Sequence, residues 1–413
     1  MDRFFEAVQL SRAARQVGPV GRDRRPHAVP PARQRGQRQP GGGHLRPPAC
    51  GRRKLLRRQL RRDAVARRSH IGGVRANRFG MKPVIFGIAG LELSPDERAF
   101  FTEAEPAGYI LFKRNIATRE QVRALTDSLR ALSGNDRLPI LIDQEGGRVA
   151  RMGPPEWPAF PAGPAFAKLY NTAPMSAIQA MRANGQALGL MLAEVGITVD
   201  CAPILDIAQT DTTEAISCRT YGAEPMQVAA LGRAMLEGLA AGGVVGVVKH
   251  MPGHGRAVVD SHHLLPTVSA SAEALEADLE PFRTLRHAPM GMTSHIVFEA
   301  WDAERPATLS PTIVNDVIRE MIGFDGLLMT DDIDMKALSG TAGEKAAGAI
   351  AAGCDLVLDC WARMDEMVEI AGRLGSISDS ARARLDTAMA SVGAPEGDFA
   401  ELIARRDAFL ALA

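Results

Sequence analysis

The stretch from Lys249 to Pro266, KHMPGHGRAVVDSHHLLP, contains four of the nine histidines in the chain. Proline, glycine and charged residues interrupt it, so we expect a loop rather than a strand or a helix. Within it, one residue separates Asp260 from His262. A carboxylate beside an imidazole orients the ring and raises its basicity, which suits proton transfer near neutral pH. The pair is therefore interpreted as a general acid/base, His262, and its partner, Asp260.

A second carboxylate, Asp331, stands at the end of an apolar run in GLLMTDDIDM. A fixed carboxylate opposite a mobile acid/base is the arrangement of retaining glycoside hydrolysis, in which the carboxylate attacks the anomeric carbon of a sugar. Asp331 and Asp332 are neighbours, so at most one of them can aim into the same site. On this interpretation Asp331 is the nucleophile. The side chains expected to bind the hydroxyl or acylamino groups of the sugar are Asp143, Arg151, Arg219, Lys249 and His250.

The histidines are also candidates for a metal site. Zinc sites need three or four converging ligands, often with the HExxH spacing. The histidines of this chain do not have that spacing, and no HxH follows the first apolar run. The sequence therefore predicts no metal.

Eight short apolar runs alternate with amphipathic segments between Lys82 and Cys360. Because the runs are continuously apolar, they indicate parallel strands buried on both faces. The alternation predicts an α/β protein, a single-domain (β/α)8 TIM barrel, whose active site lies on the loops after the strands. An open doubly wound sheet would need a glycine-rich phosphate turn after the first strand, and GIAGLELS is a poor match. The predicted strands are 83–90, 108–115, 138–147, 196–207, 243–250, 291–298, 326–333 and 354–360.

Helices are predicted between these strands and in the tail. Two of them open on capping-box patterns, Ser94 with Glu97 and Thr118 with Gln121. The tail, 361–413, is expected to be mostly helical and to pack outside the barrel. The helices predicted between the strands are 94–104, 118–132, 175–196, 226–243, 271–285, 310–324 and 343–352.

The first 80 residues differ in composition from the rest. They carry 20 Arg and 1 Lys against 4 acids, a net charge of +17, whereas residues 81–413 sum to −16. So few apolar side chains cannot offset the chain entropy, and residues 1–80 are expected to be disordered, followed by a barrel domain at 81–413. The segment is interpreted as upstream sequence read as protein, with Met81 as the natural start. A nucleic-acid-binding arm and a transit peptide are the alternatives.

Composition also limits the partners and the compartment. The acidic charge of residues 81–413 argues against nucleic acid as a partner. No apolar stretch is long enough for a membrane span, and no secretory signal is visible. The five cysteines show no paired spacing, which is typical of reduced thiols in a cytoplasmic protein.

Three motifs resemble family 3 glycoside hydrolases. KHMPGHGRAVVDSH resembles the KH-F-PGHG…DSH signature of that family, IDQEGGRVAR resembles its sugar-binding loop, and GFDGLLMTDDIDM resembles its nucleophile strand. The resemblance extends from about Lys82 to at least Cys360. Among these hydrolases, the chain is most similar to the bacterial single-domain β-N-acetylglucosaminidases of cell-wall recycling.

The resemblance implies a function and a set of roles. Asp331 matches the nucleophile, His262 the acid/base and Asp260 its dyad partner. It implies a retaining exo-β-N-acetylglucosaminidase that releases GlcNAc from GlcNAc-anhydroMurNAc through a covalent aspartyl-sugar intermediate, without metal or organic cofactor. A monomer in the cytoplasm is expected. The residues that match the GlcNAc-binding positions are Asp143, Arg151, Arg219, Lys249 and His250.

Two alternatives stay open. A phosphorylase could use the same barrel, because a histidine acid/base avoids the repulsion that a carboxylate exerts on incoming phosphate. A barrel that binds sugar without turnover is the other, although Asp260, His262 and Asp331 are all present. The aglycone and the choice between GlcNAc and GalNAc depend on loops that the motifs do not cover.

Overall fold

A computed structural model describes residues 80–261 and 264–413 of the chain. The predicted disordered segment, 1–80, lies outside these residues except for Gly80, and so do His262 and His263. The proposed boundary near Met81 therefore stays a prediction. No helix in the described ranges is long and apolar enough to cross a membrane.

Eight parallel strands form a closed barrel in which each strand pairs with its sequence neighbours and the last pairs with the first. The strands are largely buried because side chains fill the interior and helices cover the outside. The predicted TIM barrel is confirmed. The strands are β1 Lys82–Gly87, β2 Pro106–Leu111, β3 Ile140–Ile142, β4 Val199–Asp200, β5 Val245–Met251, β6 Met290–Thr293, β7 Leu327–Asp332 and β8 Leu356–Asp359.

Helices follow the strands, and capping residues set the amino ends of several of them. Ser94 and Thr341 each form a capping box with the glutamate three residues later, which satisfies backbone N–H groups that lack a partner in the helix. The α-helices are α1 Pro95–Ala104, α2 Arg119–Ser133, α3 Gly163–Thr172, α4 Pro174–Glu194, α5 Glu214–Ser217, α6 Pro225–Ala241, α7 Ala272–Thr284, α8 Ala342–Ala352, α9 Met364–Arg373, α10 Asp379–Ala390 and α11 Phe399–Leu410.

The structure differs from the predicted elements in several places, and the short helix α5 is one element that was not predicted. Helix α3 was not predicted, because its short apolar pattern follows a proline-rich stretch, PPEWPAFPAGP. The predicted helix at 310–324 is π-helical over Ile313–Met321. The tail is mostly helical, as predicted, and its helix α10 packs against one end of the barrel.

The interior of the barrel is one apolar cluster, which includes Val245, Leu327 and Leu356. Leu385 and Met389 of α10 belong to the same cluster. Their helix is fixed at the amino end of the strands, because Arg384 Nη1 lies 2.8 Å from a carboxylate oxygen of Asp355, the residue that precedes β8. Helix α10 therefore closes the amino end of the barrel, and the carboxyl end remains as the place for a site.

Candidate active site

The side chains at the carboxyl end of the barrel follow from strand alternation. Leu327 and Met329 lie in the interior cluster, and the charge of Asp331, two residues further along β7, acts on the inward-facing thiols of Cys201 and Cys360. On β5, Lys249 follows Val247 of the interior cluster, and its Nζ reaches Asp143 and Glu145. We call the inward-facing residues at the carboxyl end of each strand, or one position beyond it, the mouth layer. They are Gly87, Phe112, Asp143, Cys201, Lys249, Ser294, Asp331 and Cys360.

The carboxylates of the mouth layer surround its buried thiols. Burial raises the pKa of the Cys201 thiol well above its usual value, and the charges of Asp143 and Asp331 raise it further. The same two carboxylates act in the same direction on Cys360. Asp143 and Asp331 therefore lie at one end of the barrel, as a shared site requires.

A network of opposite charges joins the loops after β3 and β4 to the end of β5. Lys249 Nζ lies 3.1 Å from Asp143 Oδ1 and 2.7 Å from Glu145 Oε1. Arg151 Nη2 donates to Asp143 Oδ2 at 3.0 Å. Arg219 binds both oxygens of Glu145, at 2.8 and 2.6 Å. The structure thus brings together four of the predicted sugar-binding residues and adds Glu145.

This network keeps its members charged although they are buried. Burial raises the pKa of Asp143, but Lys249 and Arg151 outweigh it and hold that pKa well below its usual range. Burial likewise opposes ionisation of Glu145, and Arg219 with Lys249 lowers its pKa to about 2. Charged groups fixed in a buried site form stronger hydrogen bonds to a polar ligand than the same groups in water.

His250 is held in place by hydrogen bonds to Asp206. Its Nδ1 lies 2.7 Å from Asp206 Oδ2, and its backbone N–H donates to Asp206 Oδ1 at 3.2 Å. Asp206 also accepts the backbone N–H of His254, at 2.7 Å. Burial raises the pKa of Asp206, but His250 outweighs it and the pKa falls to about 2. Asp206 therefore fixes the His250 ring, which leaves Nε2 for a ligand.

The acid/base loop begins at these histidines. His254 is buried, and its Nε2 lies 3.2 Å from Ser261 Oγ, the residue between Asp260 and His262. Burial lowers the pKa of His254 to about 4, so the ring is neutral near pH 7. Asp260 is half-buried on the loop after β5. His262 lies outside the described residues, so its predicted role stays a prediction.

A second histidine supports the nucleophile strand. His295 Nε2 lies 2.9 Å from the backbone oxygen of Asp332, and its Nδ1 lies 2.7 Å from Thr308 Oγ1. Burial lowers the pKa of His295, so the neutral ring donates one hydrogen bond and accepts the other. The carbonyl can only accept, so Nε2 carries the proton. His295 thereby fixes the backbone next to Asp331.

Glu145, Asp206 and His295 bond to the residues of this site although the sequence analysis assigned them no role. Each stands at or just after a predicted strand, which was the available signal. Their partners lie far away in sequence: Arg219 is 74 residues from Glu145, and His250 is 44 residues from Asp206. Across the two described ranges, no group of three or more His, Cys, Asp or Glu is arranged to hold a metal ion.

Sequence comparison relates the chain to named enzymes. The profile of the glycosyl hydrolase family 3 N terminal domain matches residues 78–393. The β-hexosaminidase of Bordetella avium is 34% identical over 322 residues, which cover 76% of this chain and 90% of the relative. The β-hexosaminidase of Chromobacterium violaceum is 37% identical over 283 residues, 67% of this chain and 78% of the relative.

Solved structures give the same result. NagZ from Neisseria gonorrhoeae, in complex with N-trifluoroacetyl-D-glucosamine, superposes with a TM-score of 0.71 at 30% identity, over 81% of this chain and 97% of that one. A glycoside hydrolase family 3 β-N-acetylglucosaminidase from Paenibacillus sp. str. FPU-7 superposes with a TM-score of 0.69 at 32% identity, over 79% and 67%.

Proposed function

The chain belongs to glycosyl hydrolase family 3 and is a glycoside hydrolase of the β-N-acetylhexosaminidase type; from this premise we propose that it is a retaining exo-β-N-acetylglucosaminidase with Asp331 as nucleophile. The observation that carries the proposal is the shared position of Asp331 and the Asp143–Lys249 pair in the mouth layer. A carboxylate beside a charged sugar-binding network can reach the anomeric carbon of a sugar held there.

The reaction has two steps. An oxygen of Asp331 attacks C1, the bond from C1 to the aglycone oxygen breaks, and the leaving oxygen takes a proton from His262. A water molecule then gives a proton to His262 and attacks C1, which releases Asp331 and the sugar with its β configuration retained. Asp260 orients the ring of His262 in both steps.

The sugar is held by Asp143, Arg151, Arg219, Lys249 and His250. Of these, Asp143 and Lys249 stand in the mouth layer, and Arg151 bonds to Asp143. Arg219 binds Glu145 through two nitrogens, so its contribution is to fix that carboxylate as well as to reach the ligand. Charge-assisted hydrogen bonds to sugar hydroxyls are each worth about 1.5–3 kcal/mol.

The substrate proposed is a muropeptide fragment, GlcNAc-anhydroMurNAc, processed in the cytoplasm during peptidoglycan recycling. The support is the likeness to bacterial β-hexosaminidases and to a NagZ structure that holds an N-acylglucosamine analogue. Two comparisons of kcat/KM test this proposal. This fragment against chitobiose tests the preference for the aglycone, and the 4-nitrophenyl glycoside of GlcNAc against that of GalNAc tests the preference for the sugar.

The nucleophile is tested by Asp331→Asn. We expect kcat for 4-nitrophenyl β-N-acetylglucosaminide to fall by at least about a thousandfold, because the amide cannot form the covalent intermediate. The matched control is Asp334→Asn three residues away, whose carboxylate pairs with Arg363 outside the mouth layer; its kcat should stay within about threefold. Near-normal turnover by the Asp331 variant would refute the mechanism.

Mass spectrometry of the labelled protein tests the covalent intermediate, and analysis of the products shows whether water or phosphate accepts the sugar. A 5-fluoro GlcNAc glycoside should add one sugar to the peptide that contains Asp331, and a label on any other residue contradicts the assignment. The phosphorylase alternative predicts that phosphate accelerates turnover and yields GlcNAc-1-phosphate. A hydrolase gives free GlcNAc at a rate that phosphate leaves unchanged.

A further inference from the structure

The hydroxyl of Ser294 has no hydrogen-bond partner although it is fully buried. A buried serine normally bonds to a neighbouring backbone or side-chain group, because an unpaired buried hydroxyl costs stability. The other buried serine of comparable position, Ser310, follows this rule: it donates to Asp302 and accepts from the backbone of Ile313. The unpaired hydroxyl of Ser294 is an exception to this rule, and a hydrogen bond to a bound ligand would explain it.

The neighbours of Ser294 show which way its side chain points. Thr293 and His295 both bond to Thr308 Oγ1, at 2.7 Å each, outside the barrel wall. Ser294 lies between them and faces the opposite side, as Met290 and Met292 do in the interior cluster. The hydroxyl therefore belongs to the mouth layer.

Strand register places Ser294 beside the proposed nucleophile. Strands β6 and β7 pair in parallel, with Leu327 opposite Met290 and Met329 opposite Met292. Beyond these pairs, His295 Nε2 lies 2.9 Å from the backbone oxygen of Asp332, so the residues that precede them, Ser294 and Asp331, stand at neighbouring strand ends. On the other side of β7 the mouth layer continues with Cys360 of the β8 end.

The two flanks of Asp331 differ in chemistry, and this difference orients the sugar. The anomeric carbon is bonded to C2 on one side and to the ring oxygen O5 on the other. In the transition state O5 donates electron density to C1, so a hydrogen bond donated to O5 would oppose the reaction. The hydroxyl flank therefore suits C2, whose acetamido group needs hydrogen-bonding partners, and the Cys360 flank suits O5.

We propose that Ser294 is a specificity-determining residue that donates a hydrogen bond to the carbonyl oxygen of the 2-acetamido group of the substrate. The proposal rests on the proposed function, since it takes Asp331 as the nucleophile. It assigns the C2 side of the sugar to β6 and the O5 side to β8. A hydrogen bond to the acetamido oxygen also makes that oxygen a poorer nucleophile, which favours attack by Asp331 over attack by the acetamido group itself.

The test is Ser294→Ala assayed on two aryl glycosides that differ only at C2, the N-acetylglucosaminide and the 2-deoxyglucoside. We expect kcat/KM to fall about tenfold for the first and less than about twofold for the second, because only the first loses a hydrogen bond. Ser294→Cys keeps the size but donates weakly, so it should behave like the alanine variant.

Measurements of Tm distinguish a role of Ser294 in substrate binding from a role in folding. Because the hydroxyl has no partner in the free protein, its removal should leave Tm unchanged or raise it. The matched control is Ser310→Ala, which removes a bonded hydroxyl; it should lower Tm and leave the ratio of the two kcat/KM values unchanged. An equal loss on both glycosides, or no loss on either, overturns the proposal.

A crystal structure of the wild-type protein with GlcNAc gives an independent readout. The expected result is the acetamido oxygen within hydrogen-bond distance of Ser294 Oγ; an acetamido group directed at Cys360 contradicts it. The outcomes are distinct from a failure of the proposed function, which would show as turnover by the Asp331→Asn variant whatever Ser294 does.

Discussion

At the scale of single residues, the site combines two kinds of buried acid. Asp143 and Glu145 are held ionised by neighbouring cations, although burial alone would raise the pKa of each. Asp332 and Asp359 have no such cation bonded to them, and burial raises the pKa of each to about 7. The first pair is ready to bind polar ligands at neutral pH, whereas the second pair makes the protein less stable once ionised.

The pH dependence of stability follows from the second pair. The pKa of Asp359 is about 4 in the unfolded chain and about 7 in the folded protein. The folded state therefore binds more protons between these values, and stability falls as pH rises from about 4 to about 7. Asp359 Oδ2 is buried without a hydrogen-bond partner, so an amide should be tolerated there.

We therefore predict that Asp359→Asn raises Tm by about 2–6 °C at pH 8 and changes it little at pH 4, where the acid is protonated in the folded state and about half protonated in the unfolded state, so that ionisation affects stability little. The measurement is thermal unfolding at unit steps of pH. Asp386→Asn is the control, because its carboxylate is exposed and pairs only with Arg382 along one helix face. A gain at pH 4 as large as that at pH 8 would rule out ionisation as the cause.

At the scale of elements, helix α10 closes the barrel at the end opposite the site. Leu385 is buried at the amino end of the interior cluster, opposite the mouth layer. Leu385→Ala should therefore lower the free energy of unfolding by about 2–5 kcal/mol and leave kcat/KM within about twofold. Denaturant unfolding and the aryl glycoside assay measure the two effects. A large loss of activity with little loss of stability would show that the two ends are coupled.

The sequence predicted the elements better than the contacts between them. All eight strands were found because continuous apolar runs mark parallel strands buried on both faces. The π-helical segment Ile313–Met321 was not, because its apolar periodicity over so short a length is also that of an α-helix. The pairing of Glu145 with Arg219 was hidden for another reason: barrel closure brings together loops that are far apart in the chain.

At the scale of the whole molecule, the described barrel is complete from its first strand. Strand β1 begins at Lys82, and every proposed site residue lies after it. A chain shortened to residues 81–413 should therefore keep kcat/KM within about twofold of the full chain and unfold at the same Tm. Side-by-side assays and calorimetry of the two chains make the check. A clear drop in either quantity would assign the Arg-rich segment a part in folding or catalysis.

The closure of the amino end by α10 has a consequence for the order of events during turnover. Packed side chains fill the barrel between this helix and the mouth layer, so neither substrate nor water can reach Asp331 from the amino end of the barrel. The departing alcohol and the incoming water must therefore pass through the same opening, at the carboxyl end of the barrel, one after the other. Hydrolysis of the glycosyl-enzyme begins only after the aglycone has left. A bulky aglycone that dissociates slowly would delay the attack of water and favour transfer of the sugar back to the aglycone.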